Sequence, residues 1–190
     1  VALEIIPVWK QVTPELKAEL LAMWEANQAM RNPAQAAVRA DQAVCIARDE
    51  EGRLCAVGTA VLRVLPRLRQ PMYYYRQFFA TEVRGQKQTA PFFERACSVL
   101  QKYNAGLDKP ESLGVLLELQ NPQLAARYNS AQGDKTVFIG YSPRGFQLRV
   151  SYFEGATLLP PVDVRRNPMQ GIRQPGAGSA VRRAGRSSAS

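Results

Sequence analysis

The stretch best suited to chemistry reads Thr81-Glu82-Val83-Arg84-Gly85-Gln86-Lys87-Gln88-Thr89. It joins an extended, aromatic-rich run to an amphipathic helix pattern. A strand-to-helix turn of this kind offers free backbone amides at the positive end of a helix dipole, which suits phosphate. Such cradles usually carry several glycines so that the backbone can approach the ligand. Here Gly85 stands alone. The chain has no histidine, which removes Ser-His and Cys-His dyads and most zinc sites. Cys45, Cys55 and Cys97 form no CxxC pair and read as buried, reduced thiols. Catalysis therefore falls to Tyr, Glu, Asp, Lys, Cys, backbone amides or a cofactor.

The elements that must position this loop follow from pattern and punctuation. Leu3 to Trp9 alternates as a strand. Thr13-Pro14-Glu15 opens a helix with a cap, a first-turn proline and an early acid. Leu16, Leu20, Met23 and Trp24 recur along it at helical spacing. Asn32-Pro33 opens a second, short helix. Two apolar runs flank Asp49-Glu50-Glu51-Gly52, a hairpin signal. Met72 to Ala80 is an aromatic strand, in which Tyr74 faces opposite to Tyr73 and Tyr75. The loop follows, then a helix from Thr89 to Tyr103 with a stripe of Phe92, Phe93, Ala96, Val99 and Leu100. Leu113 to Gln120 reads as a strand buried on both faces. Asn121-Pro122 opens a helix expected to end near Gly133. Two strands around Ser142-Pro143-Arg144-Gly145 complete the pattern. The fold class is α+β, a mixed, mainly antiparallel twisted sheet flanked by helices, in the order β-α-α-β-β-β-α-β-α-β-β.

At 190 residues the chain suits one domain with a full core and a tail. The domain is expected over residues 1–159. Residues 160–190 are rich in Pro, Gly, Ser and Arg and read as a tail that is disordered or ordered by a partner. Of the net charge of +9, the tail carries +5, so the body is only mildly basic. A tail without aromatics would hold nucleic acid through phosphates alone. A solubilising terminus or a protein assembly partner are the other readings. No apolar run approaches the roughly 20 residues of a membrane span, and Val1-Ala2-Leu3-Glu4 lacks the basic-then-apolar order of a leader. A cytoplasmic location is expected, with a virion-associated one as the alternative.

Over residues 3–153 the order of elements and three local motifs resemble the GNAT superfamily of N-acetyltransferases. The aromatic strand runs into Thr81-Glu82-Val83-Arg84-Gly85, close to the family's Pro-Glu-Tyr-Arg-Gly entry. That entry leads into a helix. A buried strand ends in Asn121, with Tyr128 seven residues on and Gly133 before the next strand. The resemblance implies acetyl-CoA as cofactor and an amine, on a small molecule or a protein, as acceptor. It assigns Arg84, Gly85, Gln86, Lys87, Gln88 and Thr89 to the pyrophosphate loop. Lys87 and Thr89 stand where the family usually has glycine.

The resemblance also implies that Tyr128, expected on the helix, protonates the departing CoA sulfur, since a phenol holds its proton at neutral pH. Asn121 matches the residue that bonds the pantetheine arm, and a plain helix N-cap accounts for it equally. Glu118 is the candidate base, acting through water, and its apolar setting is expected to raise its pKa. Glu82 reads as a solvated carboxylate paired with Arg84. The tyrosines read as strand packing or as the lining of an acceptor cleft. Two other classes of function stand beside acetyl transfer. One is a catalytically inactive GNAT-fold structural or interaction protein, such as an internal virion component of a tailed phage. The other is an anion- or nucleic-acid-binding protein that uses the tail.

Overall fold

A computed structural model describes residues 2–85, 87–133 and 135–163. The strands are β1 (Glu4–Pro7), β2 (Ala43–Arg48), β3 (Leu54–Val64), β4 (Pro71–Phe79), β5 (Gly114–Leu119), β6 (Gln132–Gly133), β7 (Thr136–Tyr141) and β8 (Gln147–Tyr152). The helices are α1 (Pro14–Ala26), α2 (Pro33–Ala40), α3 (Thr89–Ala105) and α4 (Pro122–Arg127). The strands form one sheet in the order β1-β2-β3-β4-β5-β8-β7-β6. Its pairs are antiparallel except β4 with β5, which run parallel.

Three helix starts follow one rule. A side-chain oxygen accepts orphan amides of the first turn, and proline takes the first helical position. Thr13 Oγ1 accepts from the Leu16 amide at 3.1 Å. Asn32 Oδ1 accepts from Ala34 and Gln35. Asn121 Oδ1 accepts from Gln123 at 2.9 Å and Leu124 at 3.3 Å. The helix that Asn121 opens does not reach Gly133, as its sequence suggests. It stops at Arg127, and Gln132–Gly133 instead form the short edge strand β6.

Strand alternation divides the core between two faces. On one face α3 lays Phe92, Ala96 and Leu100 over Val44, Tyr73, Tyr75 and Val115. On the other, α1 and α2 lay Leu20, Trp24 and Ala40 over Ile46 and Val57. Farther along that second face Met72, Tyr74, Leu116 and Val150 pack with Leu65, Leu68 and Leu159. The Val, Leu, Ile, Met and Phe side chains among them contribute about 1.5–3 kcal/mol each when fully buried. The chain returns across this patch after β8. Leu159 and Gln70 exchange two hydrogen bonds, at 2.8 and 2.9 Å, and the Val162 amide donates to the Arg69 carbonyl. Residues 160–163 belong to this return, and the rest of the expected tail, 164–190, lies outside the described residues.

Gly114 allows β5 to sit where it does. A Cβ there would lie 2.2 Å from the carbonyl oxygen of Ser151 on β8. That oxygen is backbone, so the strands themselves would have to part. Gly114→Ala is expected to cost about 3 kcal/mol through overpacking, measured by urea denaturation. A change under half of that would show that the two strands can spread freely.

Candidate active site

The inner strands β4 and β5 pair only where Tyr73, Tyr74 and Tyr75 meet Val115, Leu116 and Leu117. Beyond those rows β3 continues to pair with β4 as far as Phe79, and β8 with β5 as far as Leu119. Each strand stays a strand, held by its outer neighbour, while the two separate from one another. Backbone groups of residues 76–79 and 118–119 that face the gap lose their ladder partners, and such groups require water or a ligand. A cavity of about 310 Å³ occupies the wedge.

The cavity is lined from both faces of the sheet. Tyr75, Gln77, Leu117, Phe93, Leu124 and Tyr128 line it on the α3 side, and Arg39, Arg76 and Glu118 on the α1/α2 side. Tyr75 is fixed by its surroundings. Its ring packs on Phe93 with centroids 5.4 Å apart, and its hydroxyl donates to Gln77 Oε1 at 3.0 Å. Gly58 makes room for it, since a Cβ there would stand 2.3 Å from that hydroxyl oxygen. Burial pushes the Tyr75 phenol well above its ordinary pKa, so it remains neutral.

At the wide end of the wedge lies the loop singled out by its sequence. Asn27, at the end of α1, accepts both the amide and the hydroxyl of Thr81 through its Oδ1 and so fixes the loop entry. Arg84 turns back, donating from Nε to the Phe79 carbonyl at 2.9 Å and stacking on Phe78. Gly85 has φ +83° and Lys87 φ +56°. Lys87 thus takes a left-handed backbone as a non-glycine residue, at a cost of about 1–2 kcal/mol. Gln88 returns to right-handed geometry and gives α3 no side-chain cap. Thr89 and Ala90, the first two residues of α3, line the cavity. Arg84, Gly85, Lys87 and Gln88 flank it without lining it, and Gln86 lies outside the described residues.

Glu118 is almost enclosed, its side chain 2% exposed. Its Oε2 accepts from the Tyr74 hydroxyl at 2.7 Å and from Arg144 at 2.9 Å, while its buried Oε1 has no hydrogen-bond partner. Burial alone would raise its pKa, as its sequence setting suggests. Donors from Tyr74, Ser142 and Arg144 outweigh burial and hold the carboxyl below the usual glutamate range. The expected rise in pKa is corrected here: Glu118 is held low, an ionised carboxylate with one oxygen left over. The Arg84 guanidinium, expected beside Glu82, is engaged at the Phe79 carbonyl and the Phe78 ring.

Tyr128 lines the cavity but is not on a helix. It is the residue after α4, with φ −94° and ψ 66°. Against it lies Arg149 on β8, 1% exposed. Its Nε donates to Thr136 Oγ1 at 2.7 Å, and one terminal nitrogen donates to the Ser130 carbonyl at 3.0 Å. The other terminal nitrogen donates to Gln147 Oε1, and the guanidinium stacks 5.2 Å from the centre of the Tyr128 ring. Gln147 Nε2 meanwhile donates to the Tyr128 carbonyl at 3.1 Å. These bonds satisfy backbone carbonyls of the non-helical segment that follows α4. The sequence carried a hint of this, a lone arginine inside the apolar strand Gln147–Tyr152.

The thiols offer no nucleophile. Burial pushes Cys45 up to about 11 and Cys97 up to about 12, and raises Cys55 as well. No group of three or more potential metal ligands occurs among the described residues. None of their helices is long and apolar enough to cross a membrane.

No protein-family model and no curated protein matches the chain. Solved structures do. A ribosomal-protein-S5-alanine acetyltransferase from Vibrio fischeri superposes with a TM-score of 0.56 at 9% identity, over 82% of this chain and 95% of that one. A GNAT-family acetyltransferase from Streptococcus pneumoniae gives 0.52 at 14% identity, over 80% and 100%. A GNAT superfamily phosphinothricin acetyltransferase from Sinorhizobium meliloti, in complex with AcCoA, gives 0.51 at 14% identity, over 86% and 95%. These likenesses show that the chain has the GNAT-superfamily fold, as its motifs suggested.

Two outcomes follow from the site. Arg149→Met leaves the Ser130 carbonyl and Thr136 without their buried donor. It is expected to cost about 3 kcal/mol and to speed amide hydrogen exchange selectively over residues 128–136. Uniform exchange with unchanged stability would show that Arg149 does not hold that segment. The Glu118 carboxyl lies below its ordinary value, so its stabilisation is complete above about pH 4.3 and is lost as pH falls through the lower folded value. Glu118→Gln is therefore expected to flatten stability against pH in that acid window. Glu19, held low by its hydrogen bond from Arg48, still titrates in both proteins. An unchanged acid limb in urea titrations would count against this role of Glu118.

Proposed function

We propose that this GNAT-fold chain is an N-acetyltransferase that moves an acetyl group from acetyl-CoA to an amine. The observation that carries the reading is the wedge between β4 and β5. It combines unpaired strand edges, a free helix start and an ionised carboxylate in one cavity lined from both faces of the sheet.

The residues present fit the cofactor. The facing edges of residues 76–79 and 118–119 offer backbone donors and acceptors to an extended arm that carries amides. The start of α3, uncapped at Gln88 and preceded by left-handed Lys87, turns successive amides toward one side, as an anion-binding nest does. Arg84, Gly85, Gln86, Lys87, Gln88 and Thr89 are the proposed phosphate loop. Asn121 spends its Oδ1 on the α4 cap, so only its side-chain NH₂ is left to reach the arm. When bound, the cofactor supplies an activated acetyl thioester.

The chain's own groups do the rest. Glu118 Oε1, buried and unpartnered, holds an incoming ammonium from the α1/α2 side and takes up its proton, directly or through a water. Because its pKa is low, it works mainly as an anchor for the positive amine and only weakly as a base. Tyr128, which lines the α3 side, is the proposed donor of a proton to the departing sulfur. Confinement of both partners in one cavity contributes much of the rate.

Calorimetric titration with acetyl-CoA and CoA tests the reading. Binding is expected for both ligands. Absence of heat at millimolar ligand would leave the second reading, an inactive GNAT-fold scaffold that meets an assembly partner through its basic tail, a virion component among the cases. The glycine-poor loop is the observation that favours it. Given binding, Tyr128→Phe is expected to lower turnover about 100-fold while acetyl-CoA affinity stays within about threefold. Undiminished turnover would remove Tyr128 as the proton donor.

A further inference from the structure

Arg39 and Arg76 line the α1/α2 half of the cavity, and Arg63, which does not line it, adds its charge to theirs. Arg76 lies 5.6 Å and Arg63 4.3 Å from the centre of the Tyr74 ring, whose hydroxyl bonds Glu118. Arg39, on α2, reaches the same strands by donating from Nε to Thr59 Oγ1 at 3.2 Å. Thr59 and Arg76 are register partners on β3 and β4. Arg144 occupies Glu118 Oε2. Among the described residues, Arg39, Arg63 and Arg76 form no ion pair with a carboxylate. Arg63 Nε is buried with no partner.

A guanidinium does not shed its proton at neutral pH. Burial and the neighbouring Arg76 bring Arg39 down only to about 10. Three mutually repelling cations against one carboxylate already shared with Arg144 form an unfavourable arrangement for folding alone. Aromatic faces at Tyr74 and Trp24 offset part of the cost. An anion would offset the rest. It would not be the phosphate of the cofactor, whose proposed loop opens at the start of α3, on the opposite face.

We propose that the acceptor of this site carries an anionic group, carboxylate or phosphate, beside its amine, with Arg39 and Arg76 receiving the anion, Arg63 adding its charge from beyond the lining, and the amine facing Glu118 Oε1. The substrate class is thus an acidic amine, such as an amino acid or a phosphorylated amine. Polyamines, with positive charge at both ends, are rejected. The inference rests on the acetyl-transfer reading for the role of the amine, and on the arginines alone for the anion.

The test titrates the full chain at low salt with succinate, with inorganic phosphate, and with putrescine, the diamine of the same carbon count as succinate. Acetyl-CoA is titrated separately. Succinate or phosphate is expected to bind and putrescine not to bind. Which anion binds more tightly assigns carboxylate or phosphate. Arg63→Gln with Arg76→Gln is expected to weaken the anion about tenfold or more, and the matching lysine variants to retain most of it. Arg39→Gln, on a surface helix, gives the same direction if the double variant does not fold. Anion binding that is absent from the native chain, or unchanged in the glutamine variants and so attributable to the arginine-rich tail, would overturn the proposal. So would putrescine binding as tightly as succinate. Acetyl-CoA heat without anion binding overturns the acidic acceptor and leaves acetyl transfer standing. Anion binding without acetyl-CoA heat sustains the anion site and removes the acetyl-transfer reading from it.

Discussion

The molecule depends on the ladder between β4 and β5 ending after three rows. Had pairing continued from Tyr75–Leu117 to the strand ends, the backbone of residues 76–79 and 118–119 would be satisfied within the sheet. There would then be no wedge and no cavity. The separation is possible because each strand has a second, longer partner. β3 holds β4 to Phe79, and β8 holds β5 to Leu119. Hydrogen bonding lost at the centre is confined to one edge of each strand. Two glycines support the arrangement sterically. Gly114 lets β5 lie close to β8, and Gly58 leaves the space that the Tyr75 ring fills.

The period-two rule of strands then distributes chemistry between the faces. Residues 73, 75 and 77 turn toward α3, and residues 74 and 76 toward α1 and α2. The same parity on β5 sends Leu117 to one side and Glu118 to the other. A single cavity therefore has an aromatic half and a charged half. The aromatic half, with Tyr75, Phe93 and Tyr128, suits an extended neutral arm. The charged half sets Glu118 in one cavity with the guanidiniums of Arg39 and Arg76. Neither half was placed by a motif, since both follow from register.

Much of this was legible in the sequence because it is local. Thr13-Pro14, Asn32-Pro33 and Asn121-Pro122 each marked a helix start, and the structure shows the cap bonds themselves. The stripe on α3 and the opposed directions of Tyr73 and Tyr74 are also local. What was not legible depends on distant partners. The end of α4 at Arg127 is accompanied by bonds from β8, Gln147 to the Tyr128 carbonyl and Arg149 to the Ser130 carbonyl, which satisfy the backbone beyond it. The low pKa of Glu118 comes from donors on β4 and on the β7–β8 turn, which no window around residue 118 contains. The unpaired state of Arg39, Arg63 and Arg76 is likewise a matter of which faces meet. Positive charge in the body looked mild when averaged over its length.

The loop at Arg84–Thr89 shows how composition and geometry can part. Glycine is favoured where φ is positive because it has no Cβ, but the amides that grip an anion belong to the backbone of any residue other than proline. Lys87 holds φ +56° as a lysine, and the unfavourable conformation is sustained by its neighbours. Asn27 fixes the entry at Thr81, Arg84 is tied back to Phe79, and α3 begins at Thr89. A lysine in this conformation therefore places the demand on the anchors of the loop, Asn27 after α1 and Phe79 on β4.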